Sequence, residues 1–109
     1  MNHQLGTVIA RRHYFDSEDR GKTPIVEVEM GIPEPSPHAP DEFMCSFLIR
    51  TKAGDKIETV YGIDELQALQ LALGHLAGTL GRLSSTLGVR MRWLGDENGD
   101  LGIRIPNFK

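Results

Sequence analysis

The chain has 109 residues, 39% of them hydrophobic and 25% charged, with 12 basic against 15 acidic side chains and a formal net charge of −3. That length holds one hydrophobic core and leaves no room for a second, and the composition excludes collagen-like and charge-driven disordered chains. The acidic balance gives no general attraction to phosphate backbones, so nucleic-acid binding is not expected.

Cys45 is the single cysteine, which precludes an intramolecular disulfide and suits a reducing compartment. The start, Met1-Asn2-His3-Gln4-Leu5-Gly6, lacks the basic residues and apolar run of a signal peptide. The least charged stretch, Leu66 to Leu80, contains Gln67, Gln70 and His75 and falls short of the ~20 apolar residues of a membrane span. A cytoplasmic protein without a membrane partner is expected.

Taken in chain order, Thr7 to Phe15 is rich in strand formers and closes at the polar loop Asp16–Thr23. In Pro24–Ile32, Val26, Val28, Met30 and Ile32 alternate with Glu27 and Glu29, the pattern of a strand with one buried face. Pro33, Pro35, Pro37 and Pro40 make the next segment a stiff loop, because proline donates nothing to a strand ladder. Phe43 to Thr51 is apolar on both faces and predicts a central strand. Ala53-Gly54-Asp55 supplies a turn, and Lys56–Tyr61 returns as the fourth strand of an antiparallel meander.

Asp64 is placed as a helix N-cap, with Gln67 three residues on as in a capping box, and Gly88 as the C-terminal cap of a helix running to about Thr86. Leu66, Leu69, Leu73, Leu76, Leu80, Leu83 and Leu87 recur at intervals of three and four and share one face. Uncharged flanking positions argue against a coiled coil, so the stripe is expected to pack on the sheet. Beyond the helix, Val89–Trp93 and Leu101–Ile105 alternate as two further strands around the turn Gly95–Asp100. The fold class is therefore α+β, ordered ββββαββ, with one long helix across one face of an antiparallel sheet.

The back of this helix presents Leu71, Gly74, Gly78, Gly81 and Ser85, and His75 is the only ionisable side chain between Glu65 and Arg82. Each internal glycine costs ~1 kcal/mol relative to alanine, which makes sense if another surface approaches closely. A homo-oligomer, most simply a twofold dimer, is expected to use Leu71, Gly74, His75, Gly78 and Gly81; a loop folded over the helix is the alternative.

No residue pattern carries chemistry. Asp96–Gly102 begins like a calcium loop, but Leu101 stands where the sharp-turn glycine belongs and Asn107 where the bidentate glutamate belongs. A hairpin turn is the better reading. His3, His13, His38 and His75 lack metal-ligand spacing, and Cys45 sits with Phe43, Phe47 and Ile49 as a small buried hydrophobe. No phosphate-binding glycine loop occurs, so no catalytic residue, metal or cofactor is assigned. Glu27, Glu29, Glu58, Arg50, Arg90, Arg92 and Arg104 fall by alternation on the solvent face of the sheet, as cross-strand pairs. Arg90, Arg92 and Arg104 are the weaker candidate for a patch binding an acidic partner.

The junction from Tyr61-Gly62-Ile63-Asp64-Glu65 through Leu66-Gln67-Ala68-Leu69-Gln70-Leu71-Ala72-Leu73 resembles that of a family of small bacterial proteins of unknown function, and Ile9-Ala10-Arg11-Arg12 is similar as well. The resemblance implies a bacterial source and the same strand–helix order, and transfers no functional residue. The leading expectation is a non-enzymatic binding protein of inhibitor or immunity type. Its recognition would lie in Asp16–Thr23 and Pro33–Glu42, since loops carry function on rigid scaffolds. A small enzyme or ligand-binding protein with an interfacial pocket near His75 is the second.

Overall fold

A computed structural model describes residues 5–16, 18, 23–88 and 90–92. The elements are β1 (Val8–Asp16), β2 (Val26–Gly31), β3 (Glu34–Pro35), β4 (Phe43–Thr51), β5 (Gly54–Gly62), helix α1 (Glu65–Leu87) and β6 (Met91–Arg92). Every strand pairing is antiparallel. The long strands form the expected meander: β1 pairs β2, β2 pairs β4, and β4 pairs β5 along its whole length. β6 extends the sheet beyond β1, and β3 joins β4 at Met44 and Phe43, past the end of β2. β4 is thus the central strand that its two apolar faces predict.

Alternation sets the faces. Val28 opposes Ile49 and Met30 opposes Phe47, and these side chains point to the helix. With Tyr14, Val26, Cys45 and Met91 they enclose Ala68, Ala72, Leu76 and Leu80 of α1 in one core. Each fully buried Leu or Phe of this cluster contributes roughly 1.5–3 kcal/mol. On the opposite face Arg50 lies across from Glu27 and bonds Glu29 at 3.1 Å, while Arg11 reaches Glu29 at 3.2 Å and His13 reaches Glu27 at 2.8 Å. The pairing of Arg50 with Glu27 and Glu29 is the cross-strand pairing expected from alternation; the Arg11 and His13 partners are not among the residues expected there.

Both caps of α1 are as expected. Asp64 is extended and its carboxylate accepts from the Gln67 N–H at 2.7 Å; Gly88, at φ 71°, donates its N–H to the carbonyls of Ser84 and Ser85.

The structure corrects the sequence reading at several points. The hairpin between β4 and β5 turns on Lys52 and Ala53, because Thr51 pairs directly with Gly54. The strand therefore begins at Gly54, earlier than Lys56. The proline segment contributes the short β3, since Glu34 still offers backbone groups to β4. Ile32 is 40% exposed: β2 ends at Gly31, so alternation no longer governs it. Leu66 is 65% exposed, because α1 first meets the sheet at Ala68 and its opening turn overhangs the strand end. The buried row is the i, i+4 series Ala68, Ala72, Leu76 and Leu80, with Leu69, Leu73, Leu83 and Leu87 flanking it. Glu58 opposes Phe47 and so lies on the helix side, not the solvent side. The hairpin and calcium-loop segment 95–102, the strand 101–105, Arg104 and the Arg92 side chain lie outside the described residues.

Candidate functional site

The corner where β5 hands over to α1 is built from tight backbone contact. A side chain at Gly62 would place its Cβ 2.7 Å from the Ala68 nitrogen and 3.0 Å from the Ala68 Cα. Only glycine lets the helix start that close to the strand, which explains the Tyr-Gly step in the sequence. Immediately after it, the Ile63 N–H donates to Gln67 Oε1 at 2.8 Å while Gln67 N–H donates to Asp64. Ile63, Asp64 and Gln67 are held in one reciprocal hydrogen-bonded unit.

This rigid corner carries three large apolar side chains into solvent: Tyr61 at 41%, Ile63 at 74% and Leu66 at 65% exposure. Single exposed apolar residues are ordinary, but three fall here within six positions around one locked turn, Tyr61 on the far face of the sheet and Leu66 on the helix. The Pro33–Glu42 loop reaches the same end of the molecule, with the His38 ring 5.9 Å from that of Tyr61. It too is fixed. Ser36 donates its N–H to the Glu42 carbonyl and its hydroxyl to the Glu42 carboxylate, each at 2.8 Å, and His38 donates its N–H to Ser36 Oγ at 3.0 Å. Asp41, Asp64 and Glu65 are exposed around the patch, giving it an acidic rim. Among the loops expected to carry recognition, Pro33–Glu42 therefore joins the corner; in Asp16–Thr23, residues 17 and 19–22 lie outside the described residues.

Sequence reasoning missed this patch. Leu66 falls within the leucine stripe, and Ile63 belongs to neither a strand nor a helix period. The available signal was an isoleucine wedged between a glycine and a helix cap, where no core face exists to receive it.

The other predicted site residues are placed as follows. Leu71, Gly74, Gly78 and Gly81 lie exposed along the outer side of α1. His75 turns toward the sheet, bonding Glu58 through Nε2 and approaching the Phe47 ring at 5.8 Å. Partial burial raises the Glu58 pKa, but hydrogen bonds from Lys56 and His75 outweigh it and hold the carboxyl below its ordinary range. Cys45 is buried, donates weakly to the Gly31 carbonyl at 3.5 Å, and has its pKa raised to about 11 by desolvation. That is the reverse of what a nucleophile needs.

Two open clefts are formed by the described residues. One, of about 250 Å³, lies on the far face beside His13, Glu27, Arg50 and Lys52. The other, of about 450 Å³, lies between the β4–β5 turn and Thr79, Arg82 and Thr86 of α1. His75 lines neither. In the first, His13 bonds Glu27, which lowers the Glu27 pKa against a smaller rise from burial. Among the described residues no three His, Cys, Asp or Glu side chains are grouped to hold a metal ion, and no helix is long and apolar enough to cross a membrane.

Fold and site together define an α+β domain that presents a rigid apolar corner. Residues 10–105 match the model of a family described as a domain of unknown function, DUF6968, and the chain belongs to that family. No curated protein and no solved structure matches the chain.

Proposed function

We propose that this chain is a small non-enzymatic interaction protein, of the inhibitor or immunity type, acting in the cytoplasm of a bacterium. Its corner, Tyr61, Ile63 and Leu66 with the Pro33–Glu42 loop, is the surface that grips a partner protein. One observation carries the reading: Ile63 and Leu66, the two most exposed large apolar side chains among the described residues, stand with Tyr61 around a turn that hydrogen bonds and a required glycine hold rigid. A preorganised apolar anchor loses little entropy on binding and is how interfaces concentrate their energy. The acidic rim selects a partner with an apolar socket and basic surroundings, and suppresses like-charged competitors.

The test compares the wild-type chain with the double variant Ile63→Arg, Leu66→Arg as baits in the source organism's lysate. The reading predicts one stoichiometric partner retained by the wild type and lost from the variant, with both baits equally folded by circular dichroism. Equal capture by both baits, or no partner at all, would contradict it.

A further inference from the structure

Among the described residues β5 is an open edge. All nine of its residues, Gly54 to Gly62, pair with β4 on one side, and no described strand pairs on the other. Such a row of unpaired backbone groups is a template for an added strand. The helix rides directly above it. Gly62 touches Ala68, Glu58 bonds His75, and Asp55 and Lys56 share a cleft with Arg82, so α1 runs antiparallel along β5 for most of its length.

We propose that β5 pairs antiparallel with β5 of a second copy about a twofold axis through Ile57, so that the two α1 helices pack against each other near Gly78. The strand is self-complementary in that register. Lys56 comes opposite the second copy's Glu58, Ile57 opposite Ile57, and Asp55 opposite Thr59. Centring the pairing on Glu58 would instead oppose two carboxylates, and centring it on Lys56 two ammonium groups. Within one chain Lys56 and Glu58 already pair at 2.9 Å, and the dimer joins two such pairs into one alternating cluster. Opposite charges across strands favour a pairing and like charges oppose it.

The helix supports the same axis independently. Three strand residues from Glu58 to Asp55 span about 10 Å, as do the seven helix residues from His75 to Arg82, at the standard rises. The level of Ile57 therefore falls at Ala77 and Gly78. α1 contacts β4 and β5. A helix axis above their midline would lie about 10 Å from its symmetry mate, given a strand spacing of ~4.8 Å. That is the upper end of the roughly 8–10 Å at which helices pack. The flank of α1 over β5, toward which His75 and Arg82 turn, has Gly78 beside it at that level, while Gly74 and Gly81 lie farther round on the outer side. A Cβ at Gly74 or Gly81 would meet nothing, and one at Gly78 only the Arg82 guanidinium at 3.6 Å, so the chain's own packing does not require these glycines. Leu71, 47% exposed, adds apolar area on the same side. Ile63 and Leu66 lie beyond the end of β5 and outside this pairing, whereas Tyr61 belongs to the paired strand and comes opposite Ala53 of the second copy.

Charge exchange tests the proposal by sedimentation equilibrium. The wild type should sediment at twice the 12.1 kDa chain mass. Lys56→Glu alone and Glu58→Lys alone should each raise the dissociation constant about tenfold or more by opposing like charges. An equimolar mixture of the two variants should associate again, since each then meets its complement. Gly78→Leu, at an exposed position, should also give folded monomers and serves if Glu58→Lys fails to fold. A monomeric wild type overturns the proposal. So does a dimer indifferent to Lys56→Glu, or one that Gly78→Leu leaves intact.

Discussion

At the scale of single residues, the most constrained position is Gly62. Its missing Cβ is what allows the Ala68 backbone to sit against the end of β5, and backbone cannot swing aside as a side chain can. Gly62→Ala should therefore destabilise the fold by about 1–3 kcal/mol, the usual cost of overpacking a tight contact, measured as a shift in the urea midpoint. Cys45 makes a second residue-level prediction. With its pKa raised from the ordinary 9.0 to about 11, the folded state favours the neutral thiol. The stability this provides is fully present below the unfolded value and is lost as pH climbs through 9 toward 11. At pH 8 the native thiol should react with a disulfide reagent on the order of 10²-fold more slowly than in denatured chain, from the thiolate fraction alone. Equal rates would mean that the Cys45 strand opens readily. Glu27 works in the opposite sense. Its lowered pKa, set mainly by the hydrogen bond from His13, adds stability above the normal carboxylate range that fades as pH falls through the folded value. The pair is exposed and adds less than about 1 kcal/mol.

At the scale of elements, the helix shows most clearly what the sequence could and could not reveal. Its ends were legible because caps are local chemistry: Asp64, Gln67 and Gly88 act on backbone groups within four residues. Asp64→Ala should accordingly cost about 1 kcal/mol, observable by thermal denaturation. The face that the helix buries was less legible. Seven leucines at regular spacing define a stripe, yet the contact is centred on Ala68 and Ala72 in the first half and on Leu76 and Leu80 in the second. Where the helix backbone approaches Gly62 the buried residue is Ala68, and Leu66 is left exposed. The strands divide the same way. Alternation placed Val26, Val28, Met30 and Phe47 correctly, but Glu58, charged and assigned to water, faces the helix because His75 and Lys56 are there to receive it. Periodicity carries no information about such partners.

At the scale of the whole molecule, the sheet is asymmetric. One face carries α1 and the core; the other carries an ion-pair lattice centred on Arg50, which contacts Glu27, Glu29 and Asp55. One end gathers the Pro33–Glu42 loop, the end of β5 and the start of α1 near one another, and among the described residues β5 is an open edge. An antiparallel meander is the simplest pairing of consecutive strands, and the long strands adopt it, although the residues alone do not fix the strand order. The corner does not follow in this way, because it arises from three segments converging in space, with only Tyr61, Ile63 and Leu66 near one another along the chain. As proposed, these side chains serve binding and not the fold, and the urea stability of the double variant Ile63→Ser, Leu66→Ser, measured beside Leu80→Ala, separates the two roles. The expected shift is within about 0.5 kcal/mol per corner substitution, against a loss of about 2–5 kcal/mol for Leu80→Ala. A corner variant destabilised as much as the core variant would contradict it, and would return Ile63 and Leu66 to the packing of the domain.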